Sequence, residues 1–181
     1  QLSERLPQPE SPSPPDLVVL SDLHLGEGLV GAPGRYSPME DFFHDEAFGR
    51  LIAHLRASCP DPDRLVLVFN GDVFDFLTVT RLPGPECRQI NFEISGAEEK
   101  FGLNPSPEKS VFKLDTIMSG HPRFFSALAG FVAAGYRVEI LRGNHDLEQY
   151  YPNIQEPNRE RLTQLNAAPT LAQCRDRVRF H

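Results

Sequence analysis

Cysteine is scarce in this chain, and long apolar runs are absent. The three cysteines, Cys59, Cys87 and Cys174, are odd in number and far apart, which argues against a disulfide framework and a paired-cysteine zinc site. No stretch approaches the roughly 20 apolar residues of a membrane span, and no charged-then-apolar signal sequence opens the chain. These absences predict reduced thiols and a cytoplasmic location.

Clustered basic charge is lacking too. The formal net charge is -7, and the longest basic cluster, Arg175, Arg177 and Arg179, is interrupted by Asp176. Nonspecific binding to a phosphate backbone depends on clustered Lys and Arg, so we expect no nucleic-acid backbone binding. The sequence also contains no P-loop and no Gly-x-Ser-x-Gly elbow, which excludes two common classes of enzyme site.

The composition fits a single globular domain behind an irregular lead-in. Of the 181 residues, 40% are hydrophobic and 24% are charged, which is enough for a sizeable core. Residues 1–15 end in the Pro- and Ser-rich stretch PQPESPSPP, for which we predict a disordered segment. The domain itself is predicted to span residues 16–181.

Three short apolar runs predict strands that are buried on both faces. They are LVVLS (17–21), RLVLVFN (64–70) and YRVEILR (136–142). Helical patterns lie between them, so we predict an α/β fold with a mostly parallel sheet and flanking helices. In such sheets ligands bind outside the carboxyl ends of the strands, where residues distant in sequence converge.

Other segments are predicted from capping and periodicity. Ser37 and Glu40 have the spacing of a capping box, and the apolar stripe that follows predicts a helix ending near Cys59. Residues 124–135 have the pattern of a second helix. Residues 78–108 contain four prolines and no clear period, so we predict an irregular insertion near the site. Weaker patterns predict a short helix in residues 156–167 and a short strand in residues 177–180.

Side chains that bind metals in other proteins follow each of the three predicted strands. SDLHLG supplies Asp22 and His24, NGDVFD supplies Asp72 and Asp75, and RGNHD supplies Asn144, His145 and Asp146. Taken singly, each group fits an ordinary turn, which is the simpler interpretation. Taken together, they would require three independent turns to carry such groups at one edge of one sheet. A shared site explains all three.

The order of these groups favours two metal ions. Asp22 and His24 lie two positions apart, which in an extended segment directs both toward one ion. Asp72 has two carboxylate oxygens and can bridge to a second ion, held on its far side by Asn144. Oxygen and nitrogen ligands without thiolate suit manganese, iron, zinc or magnesium. Two such ions, about 3.5 to 4 Å apart, clamp phosphoryl oxygens.

The complete motifs Asp-x-His, Gly-Asp-x-x-Asp and Gly-Asn-His-Asp occur in this order, each after a predicted strand. In this the chain resembles the calcineurin-like metallophosphoesterases. The resemblance implies a four-layer α/β/β/α fold and hydrolysis of a phosphate mono-, di- or pyrophosphate ester by a hydroxide that bridges two divalent ions, with Mn²⁺ favoured. SDLHLG and GDVFDF also resemble the bacterial branch that includes UDP-diacylglucosamine pyrophosphohydrolase.

The resemblance also implies a role for each residue of the motifs. It implies that Asp22 and His24 bind the first ion, Asp72 bridges both, Asn144 binds the second, and His145 acts on the phosphate as general acid. Asp75 and Asp146 are expected to orient His145 and the loop that carries Asp72.

The family also has later histidines, in a strand-end His-Gly element and a Gly-His-x-His motif, which complete both metal shells. This chain has neither, and His181 is interpreted as a strand-end residue. We therefore expect residues 16–181 to be the amino-terminal portion of the domain, with the remainder missing or in another chain. Metal binding by this polypeptide alone is expected to be weak. His44, His54 and His121 are interpreted as structural or solvent-facing.

Two alternatives stay open. GEGLVG (26–31) fits the Gly-x-Gly-x-x-Gly pattern of dinucleotide-binding proteins, but Asp22 and His24 come between it and the strand, and Pro33 and Gly34 interrupt the helix that should follow. The other alternative is a non-catalytic scaffold with a metallophosphoesterase-like fold. The intact ligands in all three motifs count against it.

Overall fold

The computed structural model of this chain describes residues 13–31, 34–84, 92–165 and 168–181. Most of the predicted disordered lead-in, together with Cys87, lies outside the described residues. No helix in the described ranges is long and apolar enough to cross a membrane. The elements are β1 (Asp16–Leu20), α1 (Asp45–Ser58), β2 (Leu65–Asn70), α2 (Glu98–Phe101), α3 (Pro107–Gly120), α4 (Pro122–Ala133), β3 (Arg137–Leu141), α5 (Pro152–Leu162), α6 (Leu171–Arg177) and β4 (Val178–Phe180), with 3-10 turns at Pro62–Arg64 and Leu147–Tyr150.

The strands form one parallel sheet in the order β1-β2-β3-β4. Val18 pairs with Leu67, Leu67 with Val138, and Val138 with Val178, so these four residues form a row across the sheet. Helices connect each strand to the next, as parallel neighbours require. The predicted α/β class, with a mostly parallel sheet and flanking helices, is therefore confirmed.

The buried face of the sheet packs against α1 and α4. The ring of Phe69 on β2 lies 6.2 Å from that of Phe48 on α1 and 6.1 Å from that of Phe124 on α4. Phe48 and Phe124 stack on each other with centroids 3.9 Å apart. This aromatic cluster fixes the helices over β2, whose carboxyl end carries the second motif.

The opposite face of β1 is open. Leu17 and Val19 are 62% and 55% exposed, so the prediction that residues 17–21 are buried on both faces is wrong for β1. An apolar run becomes fully buried only when both faces are covered, and the helices described above lie against one face. The described residues form one four-stranded sheet, and the second sheet of the four-layer arrangement stays a prediction.

Helix α1 begins later than the sequence predicts. It starts at Asp45 rather than Ser37, although it ends at Ser58, close to the predicted end. Glu40 does not serve a capping box, because its carboxylate accepts the backbone amides of Gly28 at 2.5 Å and Phe42 at 2.9 Å. The side chain of Glu40, which the local pattern assigns to a helix start, is therefore used in a tertiary contact instead.

The predicted irregular insertion at 78–108 contains ordered helix. Helix α2 and the start of α3 lie within it, and α3 as a whole was not predicted. Lys109 on α3 binds Glu98 on α2, with 2.5 Å between Nζ and Oε1. Lys113, one turn further along, donates to the carbonyl oxygen of Phe76 at 2.9 Å. Helix α3 therefore rests on the loop that follows the second motif.

Candidate metal centre

The loops that follow β1 and β2 run side by side beyond the ends of the strands. The amide of Asp22 donates to the carbonyl of Gly71 at 3.2 Å, and that of His24 donates to the carbonyl of Asp72 at 2.9 Å. Leu25 continues the pairing with a 2.9 Å bond to Val73. Backbone hydrogen bonds, rather than side-chain packing alone, thus bring the first two motifs together.

Three residues in these loops adopt left-handed backbone conformations. Asp22, His24 and Asp72 have φ values of 55°, 52° and 51°, and no other non-glycine residue in the described ranges has a positive φ. The expectation of an extended segment between Asp22 and His24 is therefore wrong. Each such conformation costs on the order of 1–3 kcal/mol for a non-glycine residue, and such strain concentrates at functional sites. Ligand atoms of all three side chains nevertheless lie within 4.8 Å of one another.

The third motif is tied to the second through Asp72 and Asp146. The amide of His145 donates to Asp72 Oδ1 at 2.9 Å. The two oxygens of buried Asp146 accept the amides of Gly143 at 2.6 Å and Val73 at 3.0 Å. Burial raises the pKa of Asp146 although these amide bonds act to lower it. Asp146 thus holds the loop that carries Asp72.

Gly143 is required by the approach of Asp72. A Cβ atom at position 143 would lie 1.9 Å from Asp72 Oδ1 and 2.4 Å from the Asp72 backbone nitrogen. The second contact involves backbone, so a change of side-chain rotamer cannot relieve it. The glycine before Asn144 is therefore a steric condition for the meeting of the second and third loops.

Asp75 lies between the two histidines of the site. Its Oδ2 is 3.1 Å from His145 Nδ1 and 3.6 Å from His24 Nδ1, and the two rings meet edge to face with centroids 4.7 Å apart. Its Oδ1 accepts the amides of Leu77 and Thr78 at 3.0 and 3.2 Å. Both oxygens of this buried carboxylate are thus engaged within the protein, and each histidine faces it through Nδ1. This geometry suits the supporting role expected for Asp75.

The structure brings most of the predicted site residues into two overlapping groups. Asn144 is exposed and lies next to His145, whose amide is bound to Asp72. The donors are carboxylate oxygen and imidazole nitrogen, with amide oxygen at hand and no thiolate, a set that fits manganese, iron, zinc or magnesium. One group that could hold an ion is Asp22, His24 and Asp72, and the other is His24, Asp75 and His145.

Two buried glutamates that sequence reasoning missed anchor the loop after His24. Glu27 Oε1 accepts the amides of Thr80 and Arg81, both at 2.7 Å. Glu40 accepts the amides of Gly26 and Gly28. These are the glycine amides that a dinucleotide pyrophosphate would need, and a carboxylate of the protein already binds them. The geometry of GEGLVG therefore gives the dinucleotide alternative no support.

His121 supports the same loop through its contact with Glu40. It is fully buried, with Nδ1 2.9 Å from Asp45 Oδ1 and Nε2 3.3 Å from Glu40 Oε2. Burial acts to lower its pKa, but the two adjacent carboxylates outweigh this and raise the pKa above its ordinary value. Burial acts in the opposite sense on Glu40, and the bonds to His121, Phe42 and Gly28 leave its pKa lowered. His121 is thus structural, and neither carboxylate partner is signalled by sequence spacing.

Lys113 is a further residue of the site region that no sequence pattern indicated. Its ammonium group is buried, and burial lowers its pKa against the opposing attraction of Glu148 and Asp75. The cation partly balances the negative charge of the site from the side of α3. Its position depends on a helix that was not predicted.

The comparisons with known proteins agree with this geometry. The family model described as calcineurin-like phosphoesterase matches residues 16–176, which include all three motifs. Searches of curated proteins and of solved structures returned no significant match. The narrower likeness to the pyrophosphohydrolase branch stays a prediction.

Proposed function

This chain belongs to the calcineurin-like phosphoesterase family, and we propose that it hydrolyses a phosphate mono-, di- or pyrophosphate ester with divalent metal ions. The observation that carries the proposal is the left-handed backbone at Asp22, His24 and Asp72. A chain that folds with strain at these three positions, and with their ligand atoms within 4.8 Å, has a local arrangement suited to a cation.

We propose that Asp22 and His24 hold one ion, that Asp72 is shared, and that Asn144 holds a second. Divalent cations bound there would lower the pKa of water and neutralise charge on the phosphoryl oxygens. Manganese is the first ion to test, followed by iron, zinc and magnesium. Asp72 is suited to sharing because one of its oxygens is fixed by the amide of His145 at 2.9 Å.

His145 is proposed to protonate the departing oxygen. A carboxylate next to Nδ1 favours a proton on that nitrogen, so in the imidazolium form the Nε2 proton is the one available for donation. Asp75 supplies that carboxylate at 3.1 Å and also fixes the orientation of the ring. Because Asp75 is itself held by the amides of Leu77 and Thr78, the orientation of the ring is tied to the backbone of that loop.

Metal-dependent turnover tests this function against the scaffold alternative, since the family also has non-catalytic members. The full-length protein is stripped with chelator, reloaded with Mn²⁺, and assayed with p-nitrophenyl phosphate and bis(p-nitrophenyl) phosphate. We expect turnover only with metal. Asp72→Asn should lower it by about 100-fold or more, because even partners outside the ligand shell cost about 10- to 100-fold.

The matched control is Asp41→Asn, which removes the same charge from an exposed aspartate outside the site. It should retain the activity of the parent protein. Equal losses in both variants, or no metal-dependent turnover in the parent, would favour the scaffold.

We also propose that residues 16–181 are the amino-terminal portion of the catalytic domain, with the remaining metal ligands contributed by another part of the protein or another chain. The exposed apolar side chains of Leu17 and Val19 support this, because a second sheet would cover them. A cytoplasmic location is proposed on the thiols: Cys59 and Cys174 are both free. Burial raises the pKa of the Cys174 thiol to about 11, which makes it unreactive.

A further inference from the structure

A small apolar pocket opens beside His145. Its volume of about 210 Å³ lies below the roughly 300 Å³ at which pockets for drug-sized ligands begin, so it has room for one ring or a short chain. The lining combines four residues with apolar surface, one glutamate and two residues of the third motif: Leu77, Pro105, Leu147, Tyr151, Glu148, Asn144 and His145.

Two leucines that line this pocket are largely exposed to solvent. Leu77 is 65% exposed and Leu147 is 58% exposed, whereas most leucines of the described helices and strands are buried or half-buried. Because both leucines line one pocket, they differ from the singly scattered apolar side chains that are normal on a protein surface. Leu77 comes two residues after Asp75, and Leu147 two residues after His145. The apolar wall is therefore carried by the same loops as the polar site.

Shared hydrogen bonds fix the distance between the wall and the site. The amide of Leu77 donates to Asp75 Oδ1 at 3.0 Å, while the other oxygen of Asp75 binds His145. The amide of Phe76 donates to the carbonyl of His145 at 3.3 Å. Leu77 cannot move far from His145 without breaking these bonds. A group seated against Leu77 is thus held beside the imidazole.

The charge of the pocket favours an uncharged occupant. Apart from His145, no lining residue in the described ranges can carry a positive charge, so a second phosphate or a carboxylate would find no cation there. Glu148 also lines the pocket, and burial raises the pKa of its carboxyl group, which shifts it toward the neutral form. An alcohol or phenol residue with an apolar body fits these surroundings.

We propose that this pocket binds the apolar organic group of the phosphate ester, an aryl ring or a short alkyl chain, on the oxygen that leaves. The assignment rests on the proposed function and narrows its substrates to esters of apolar alcohols or phenols. Leu77 and Leu147 are then specificity-determining residues. They contact the organic group and play no part in metal binding.

Binding without phosphate tests the pocket independently of metal. Leucine methyl resonances of the full-length protein are followed by NMR while benzyl alcohol, 1-pentanol or glycerol is added. Methyl signals of Leu77 and Leu147 should shift with the apolar alcohols and stay in place with glycerol. The relative response to benzyl alcohol and 1-pentanol tells an aryl occupant from an alkyl one. No shift with either apolar alcohol would overturn the proposal.

Kinetics then tests whether the bound group belongs to the substrate. The preference for phenyl phosphate over glycerol phosphate is measured as the ratio of the two kcat/KM values. Leu147→Ser should lower this ratio by about 10-fold, because losing apolar contacts of this size in a pocket changes discrimination by that order. Met39→Ser, at a residue that is 53% exposed outside the pocket, should leave the ratio unchanged. An unchanged ratio in Leu147→Ser would overturn the assignment of the pocket to the substrate.

Failure of the proposed function and failure of the pocket proposal give different results. If no ester is turned over with any metal while the methyl shifts persist, the proposed function fails and the occupant is not a substrate group. If esters are turned over but the methyl signals do not respond, the function stands and the apolar specificity is wrong.

Discussion

At the scale of single residues, the site depends on backbone conformations that side chains normally avoid. Asp22, His24 and Asp72 are held left-handed by hydrogen bonds between neighbouring loops. The cost is offset by the surrounding fold, so the backbone sets the position of each candidate ligand. Side-chain substitutions nearby should therefore matter less than a substitution that moves the loops.

Gly143→Ala is such a substitution. Its Cβ would collide with Asp72, so we expect unfolding free energy to fall by about 1–3 kcal/mol, the usual cost of forced overpacking, and Mn²⁺ to lose its stabilising effect. Urea unfolding with and without Mn²⁺ measures both quantities in the full-length protein.

Gly49→Ala is the matched control. Gly49 lies within α1 and has open space where a Cβ would be, so alanine should stabilise the protein by roughly 0.5–1 kcal/mol. If the two variants behaved alike, the described approach of Gly143 to Asp72 would be incorrect.

The sequence predicted the convergence of the motifs but not the details that hold it. The three strands and the position of Asp22, Asp72 and Asn144 after them follow from local patterns. The left-handed conformations do not, because they result from hydrogen bonds between loops about 50 residues apart, such as that of His24 to Asp72. The roles of Gly143 and Asp75 likewise depend on contacts made only in three dimensions.

At the scale of elements, the buried group of Glu40, His121 and Asp45 joins α1 and the start of α4 to the loop after His24. Local pattern reasoning failed here because it gave Glu40 to a helix cap. Helix α3 was missed because the prolines and glycines of residues 78–108 suggested an irregular segment, although Ser106 and Pro107 are typical of a helix start. The error at Glu40 arises because a tertiary contact decides the structure, whereas the start of α3 carries a local signal that the irregular composition around it obscured.

The His121 group predicts how stability depends on pH. Because the pKa of His121 is raised in the folded state, its contribution is complete below its ordinary value of 6.5 and is lost as pH rises through the folded value. The pKa of Glu40 is lowered, so its contribution is present above 4.5 and is lost as pH falls through its folded value. The two contributions are jointly present between these limits.

His121→Gln should therefore cost most stability near pH 5.5 and less at pH 9, as measured by urea unfolding across that range. His54→Gln, at an exposed histidine on α1, should show little cost at either pH. A cost for His121→Gln that grows toward pH 9 would contradict the charged pairing of His121 with its carboxylates.

At the scale of the whole molecule, the open face of β1 is the feature that local patterns could not foresee. An apolar run such as LVVLS indicates a strand but does not say which part of the protein covers each face. Whether another part of the protein covers this face can be measured at Leu17 and Val19. Their surroundings should change when the rest of the proposed domain is present.

The double variant Leu17→Thr, Val19→Thr tests this. In residues 16–181 alone we expect a change of unfolding free energy within about 0.5 kcal/mol, as is usual for exposed positions. In a protein that carries the rest of the domain, the loss should reach at least about 2 kcal/mol, because burying each such side chain contributes roughly 1.5–3 kcal/mol. Met39→Thr serves as the control in both lengths. Equal costs in the two lengths would refute a covering second sheet.

In the loops after the second and third strands, backbone groups and side chains have different roles. Amide and carbonyl groups of residues 76, 77 and 145 secure the reactive groups, while the leucine side chains at 77 and 147 extend into open space. Under the proposed function, substitutions of those leucines are expected to change which ester is accommodated and to leave the chemical step intact. A few point mutations would then be enough to change the substrate preference of one scaffold.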